Sequence, residues 1–257
     1  MVDTTIHSAH CLADTELRKI GFWSPFRWLR KGWADLRHSL WASLTHGLII
    51  TAMGWIVLMF TSSHLYMFTA AISGFLLISP VMTVGLYELS RSRELGRSPT
   101  FDVSLASLKK NGSSLMRFAM ILVPLIFVWL GLSGLVFRNF FGGDMPAMSG
   151  AIYQTSWHAG GMGFILTYGA VGGAIAAMAF VLSVVTVPMM VDRGVAPATA
   201  MLTSVKVVWL NLPAMLHWAV LLAVLTVVGF ATQLWAMIVI IPWLGHATWH
   251  AYRDTVG

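Results

Sequence analysis

Apolar residues fall in runs long enough to cross a bilayer, and most polar residues lie in the stretches between them. A spanning helix needs roughly 20 predominantly apolar residues. Runs of that kind lie at 41–61, 66–87, 115–137, 162–187, 215–231 and 232–249. The last two form one largely apolar stretch from Ala214 to Trp243, in which Thr226, Gly229, Thr232 and Gln233 mark the middle. As a single helix of about 35 residues it would reach roughly 50 Å, well beyond a hydrocarbon core of about 30 Å. A tight turn near Gly229–Gln233 is therefore expected. The pattern predicts an all-α polytopic membrane protein with six transmembrane helices.

The polar intervals repeat. When Pro25, Pro99 and Pro197 are laid over one another, each begins a stretch of mixed apolar and basic residues that leads into a span. His46, Arg117 and His217 then fall at roughly equivalent positions. Proline in a first turn followed by an amphipathic pattern suits a helix lying in the headgroup layer, with Trp28, Trp33, Trp41 and Trp209 as interfacial anchors. The returning helices repeat as well: Pro80, Pro188 and Pro242 precede Glu88 and Arg91, Asp192 and Arg193, and His246, His250 and Arg253. The expectation is three pseudo-repeated hairpins, at approximately 25–95, 96–193 and 194–257, each preceded by a cytoplasmic interfacial amphipathic helix. Two spans per unit give successive units the same orientation, so the axis relating them runs along the membrane normal. A polar tail over 1–22 precedes a single membrane domain over 23–257.

Composition and charge fix the environment. The chain is 57% hydrophobic and 10% charged with a mean hydropathy of +0.76, too little polar surface for a soluble globule. Of the 16 Lys and Arg residues, only Arg138 falls on the far side of the six-span arrangement. The positive-inside rule then places both termini in the cytoplasm. The net charge of +6 is explained by this sorting and by anionic headgroups, so no nucleic-acid partner is expected. The lone cysteine, Cys11, cannot form an internal disulfide and is expected to be a free thiol. Residues 1–20 contain no apolar core followed by a small-residue cleavage site, so no removed secretory signal is expected.

Three stretches carry a family resemblance: GFLLISPVMTVGLYELSRSRELGRSP (74–99), FVLSVVTVPMMVDRGVAPATAMLTSV (180–205) and IIPWLGHATWHAYRD (240–254). With their spacing they resemble the predicted integral membrane proteins of the domain of unknown function DUF2189 over nearly the whole chain from Trp23 onward. The resemblance implies a six-span protein of the bacterial inner membrane. It implies no activity and carries no catalytic residues with it.

Four histidines are the first candidates for chemistry. His246 and His250 lie four apart and share a helical face, a spacing at which two imidazoles can share a metal. His46 and His217 sit at the cytoplasmic ends of their spans, and with pseudo-threefold symmetry the four converge near the boundary, where neutral imidazoles suit zinc, copper or haem iron. Helix-end histidines also commonly bond a neighbouring carbonyl or carboxylate, and no HExxH, CxxC or carboxylate cluster supports a metal. A second constellation is a cytoplasmic polar ring of Glu88 with Arg91, Asp192 with Arg193, and Arg253 with Asp254, which either anchors helix ends or binds an anionic headgroup. The stretch GAVGGAIAAMAF (169–180) sets Gly169 and Gly173 four apart, widened by Gly172, Ala174 and Ala177, a surface suited to close helix packing. Segment 138–161, with Asp144 and His158, is the one sizeable periplasmic connection expected.

Three functions fit. The leading one is a non-catalytic accessory, assembly or lipid-interacting membrane module, whose partners are the anionic headgroups of the bilayer and, in an accessory role, another membrane protein. The second is a transporter or channel for a small or amphiphilic molecule, disfavoured by the lack of Asp, Glu, Lys or Arg at hydrocarbon depth. The third is a haem- or metal-binding protein using His46, His217, His246 and His250; the other two need no cofactor.

Overall fold

The computed structural model describes residues 16–61, 65–142 and 161–257. Cys11, Asp144 and His158 lie outside the described residues. Among the described residues the chain forms ten helices and no strand beyond an isolated antiparallel bridge between Leu17 and Val256. The helices are α1 (Ser24–His38), α2 (Leu40–Thr61), α3 (Leu65–Met82), α4 (Val84–Glu94), α5 (Phe101–Phe141), α6 (Gly161–Ser183), α7 (Thr186–Arg193), α8 (Pro197–Leu210), α9 (Leu212–Ala231) and α10 (Met237–Thr255).

Four stretches are long and apolar enough to cross a membrane: Leu40–Thr61, Phe101–Phe141, Met162–Arg193 and Leu212–Ala231. The other two predicted runs are helical but interrupted. Over 65–94 the helix passes through Pro80, which supplies no N–H to the ladder, and breaks at Thr83, whose hydroxyl donates to the Pro80 carbonyl at 3.1 Å. In the last run the chain turns over 232–236 with Gln233 and Leu234 at positive φ, near the expected place. Thr232 shapes that turn, accepting the Ala236 N–H at 3.0 Å.

The chain divides into two compact units, one of residues 1–51, 80–118 and 180–257, the other of 52–79 and 119–179. The second unit is built on aromatic packing. Phe137 and Phe164 meet edge to face at 5.1 Å, and the Tyr66 hydroxyl donates to the Leu130 carbonyl at 2.9 Å. Here the glycine-rich stretch behaves differently from the expectation. Gly172 accommodates the Trp129 indole, with Ile175 and Ala179 on the same side, whereas a Cβ at Gly169 or Gly173 would meet nothing within 4 Å. The packed face is thus offset from the one with the most small residues, because one large indole fills the space that a neighbouring backbone would take.

In the first unit α1 packs chiefly on α10, and also touches α9 and α4. Its buried face is Ser24, Pro25, Trp28, Leu29, Gly32, Asp35 and Leu36, a helical stripe with one carboxylate in it. A Cβ on Gly32 would lie 2.6 Å from the Ala247 nitrogen, so the two backbones are in direct contact there. Trp28, expected at the interface, is fully buried, whereas Trp41 and Trp209 are 83% and 70% exposed. The difference is the face: Trp28 lies on the packed stripe of α1. A second close approach is at Gly47, where a Cβ would fall on the Ile238 carbonyl and 3.0 Å from Pro242 Cδ. Backbone atoms cannot rotate away, so Gly47→Ala is expected to destabilise by about 1–3 kcal/mol, as overpacking does. Gly112→Ala, with open space around it, should be neutral or mildly stabilising, as alanine normally is within a helix. Thermal unfolding of the two variants in detergent checks both.

Candidate functional site

Asp35 is the centre of a buried polar cluster in the first unit. It sits on the packed stripe of α1 and faces α4 and α10. Ser90 donates to its Oδ2 at 2.6 Å, His250 Nε2 lies 2.9 Å from the same oxygen, and Arg93 donates to Oδ1 at 2.5 Å. An ionised carboxylate only accepts, so the His250 Nε2–H must donate. Burial alone would push the Asp35 carboxyl up, but the hydrogen bonds from His250 and Ser90 outweigh it and hold it below the usual carboxylate range.

The i, i+4 pair on α10 does project from one face, toward this carboxylate. His250 reaches it directly and His246 reaches it through a hydroxyl. His246 Nδ1 lies 2.7 Å from Ser90 Oγ, and Ser90 has already committed its proton to Asp35. His246 Nδ1 therefore carries a proton and donates. In the neutral ring Nε2 is then an acceptor, and Ser43 donates to it at 2.9 Å. Ser43 in turn lies 3.0 Å from Ser39, at the junction of α1 and α2. The result is a continuous chain of hydroxyl, imidazole, hydroxyl and carboxylate.

His46 and His217 sit differently. His46 is buried one turn beyond Ser43 on α2; Ser104 gives its proton to the Phe101 carbonyl, so His46 Nε2–H donates to Ser104 Oγ at 2.7 Å. His217 stacks on Phe22 at 4.6 Å with its Nδ1 at 3.0 Å from the Phe22 carbonyl, and bonds none of the other three histidines. Among the described residues no group of three or more His, Cys, Asp and Glu side chains is arranged to hold a metal ion.

Of the three pairs expected in a polar ring, Glu88 with Arg91 forms and the residues of the other two take different partners. Glu88 pairs with Arg91 at 3.5 Å as expected. Asp192 pairs with Arg91 at 3.1 Å and Arg253 at 3.5 Å and accepts from the Tyr252 hydroxyl at 2.7 Å. Arg193 reaches Asp192 only through that hydroxyl, donating to it at 3.1 Å, and also donates to the Gly257 carbonyl. Arg253 also pairs with Glu94 at 3.2 Å. Asp254 turns to α1 and binds Arg27 at 2.9 Å, Lys31 at 3.6 Å and the Trp28 indole N–H at 2.8 Å. Sequence neighbours such as Arg253 and Asp254 point about 100° apart around a helix and so find different partners. Burial and the bond to Asp192 push the Tyr252 phenol up, keeping it a proton donor. Asp254 is also pushed up by burial, but Trp28 and Arg27 reverse the balance and hold it low.

Asp35, Ser43, Ser90, Arg93 and Glu94 were not among the sequence candidates. Asp35 had a readable signal, being a carboxylate in register with Trp28 and Gly32 on the stripe that buries α1. The serines had none, since a helix hides serine hydroxyls as readily as it exposes them.

No curated protein and no solved structure matches the chain. Residues 66–192 match the family model of predicted integral membrane proteins designated DUF2189.

Proposed function

We propose that this chain is a non-catalytic accessory or assembly module of the bacterial inner membrane that works in contact with anionic lipid. One observation carries the reading: the buried ionisable groups bind side chains of the helices around them. Asp35, Asp192, Asp254 and His246 each make two or more contacts to neighbouring helices. Such a network orients helices and fixes their register, and it holds its donors and acceptors away from any substrate.

The finer architecture follows from the same reading. We take the chain to make six spans in three hairpins with both termini cytoplasmic, an arrangement supported by the separation it gives between Arg138 and the other bases. The three returning helices, α4, α7 and α10, each touch the other two, which supports a pseudo-threefold arrangement. Protein purified in mild detergent is expected to be colourless and free of stoichiometric metal, with a spectrum unchanged in the His246→Ala, His250→Ala double variant. A Soret band or a bound metal lost in that variant would overturn the reading in favour of a redox or metal protein.

A further inference from the structure

We infer that the open cleft between the segment before α1 and the end of α10 binds the phosphate headgroup of an anionic phospholipid. The inference rests on the lipid-contacting role proposed above and names its site. The cleft has a volume of about 540 Å³, and Arg18, Lys19, Phe22, Trp23, Arg27 and Asp254 are among its lining residues.

Its walls are fixed by backbone bonds. The Arg18 N–H donates to the Thr255 carbonyl at 3.0 Å. Asn211, at the start of α9, accepts the Ile20 N–H at 2.9 Å and donates to the Arg18 carbonyl at 3.1 Å. The segment is thus tied to two helices through its main chain, leaving the Arg18 and Lys19 side chains exposed.

The charge is unbalanced. Counting side chains, three cations line the cleft against one carboxylate, Asp254, which is already held by Arg27, Lys31 and Trp28; the Arg18 guanidinium lies beside Gly257. Among the described residues neither Arg18 nor Lys19 has an acidic side chain within ion-pair distance. An arginine fork beside a lysine point charge is the arrangement that binds phosphate oxygens.

The depth selects a lipid over a free anion. Phe22, Trp23 and Phe26 surround the His217 ring, with centroids 4.6, 5.8 and 5.1 Å away. His217 lies in the second turn of α9, a helix apolar and long enough to span, and Trp23 is 69% exposed. Aromatic side chains beside cations at the start of a span belong at headgroup level, where acyl chains pass next to the phosphate. Inorganic phosphate would make no use of that rim.

The test is native mass spectrometry of the full chain in detergent with phosphatidylglycerol, phosphatidylcholine or inorganic phosphate added. We expect one retained phosphatidylglycerol, bound roughly tenfold or more weakly by Arg18→Gln, Lys19→Gln, as loss of two headgroup-level cations implies. Trp23→Ala should weaken it too, and the Arg30→Gln, Arg37→Gln pair, exposed on α1 outside the cleft, should leave it intact. Equal retention of phosphatidylcholine, displacement by inorganic phosphate, or equal weakening by both arginine-containing pairs would overturn the site. If only the Arg30, Arg37 pair weakens retention, the site falls and the lipid-contacting reading stands. If no lipid is retained at all, both fall.

Discussion

Replacing Asp35 with alanine is expected to destabilise the protein by about 3–5 kcal/mol, the effect of removing one partner from a buried, hydrogen-bonded charge cluster. Ser90, His250 and Arg93 all direct donors at this carboxylate. Arg93 is partly exposed and can turn to water, so most of the loss lies with Ser90 and His250, which are buried. Asp35→Asn preserves the shape and one acceptor oxygen and should lose about half as much, as a charged hydrogen bond is roughly twice as strong as a neutral one. The two variants also differ in acid. The folded-state pKa of Asp35 lies below its ordinary value of 3.8, so its stabilisation is complete above that value and is lost as pH falls through the lower folded pKa. Asp35→Asn removes that share of the acid sensitivity, while the share from Asp254, also held low, remains. Thermal unfolding in detergent at neutral and acidic pH measures both effects.

The membrane class was legible because it depends on composition over long windows, which neighbouring helices do not alter. Leu40–Thr61 and Leu212–Ala231 are close to the runs at 41–61 and 215–231 for that reason. Local breaks were harder to place. The helix through Pro80 yields three residues later at Thr83, whose hydroxyl donates to the Pro80 carbonyl, a break that hydropathy does not register. On α1 Trp28 was expected at the interface because the stretch looked amphipathic, and Asp35 was not singled out. Which side of an amphipathic helix is covered depends on its neighbour, and α10 covers the side with Trp28 and Asp35.

The candidate site shows the same limit at the level of side chains. The spacing of His246 and His250 was enough to put them on one face, since i, i+4 geometry is intrinsic to the helix. Their common target was not legible, because Asp35 is more than 200 positions away in sequence. His217 was grouped with them by its position in the repeat, yet it lies against Phe22, Trp23 and Phe26. Repeat symmetry predicts depth along a span, while the rotation of each helix decides which neighbour a ring meets. Ion pairs obey the same rule: Asp254 was expected with Arg253 and is bound by α1.

Trp28→Ala is expected to cost about 3–5 kcal/mol, the range for truncating a large aromatic in a packed interior. The indole is 0% exposed, meets Trp218 edge to face at 5.6 Å and gives its N–H to Asp254 at 2.8 Å. Alanine removes the ring and the donor together, leaving a cavity between α1 and its neighbours and a carboxylate with one partner fewer. Trp28→Phe separates the two losses: it retains most of the ring and should cost about 1.5–3 kcal/mol, chiefly for the hydrogen bond to a charged acceptor. Without that donor the Asp254 carboxyl loses one of the bonds that hold it low, so Trp28→Phe should also unfold at a higher pH than the parent on acid titration. Trp41→Ala is the comparison, since a ring that is 83% exposed gives up little packing and should change the melting temperature only slightly. If Trp28→Ala melts no lower than Trp41→Ala, then Trp28 is an interfacial anchor after all and α1 does not pack through this face. A large difference between them, with Trp28→Phe in between, means that the basic helix is bolted to α10 and that its exposed residues, Arg27, Arg30, Trp33 and Arg37 among them, are what it can offer to lipid.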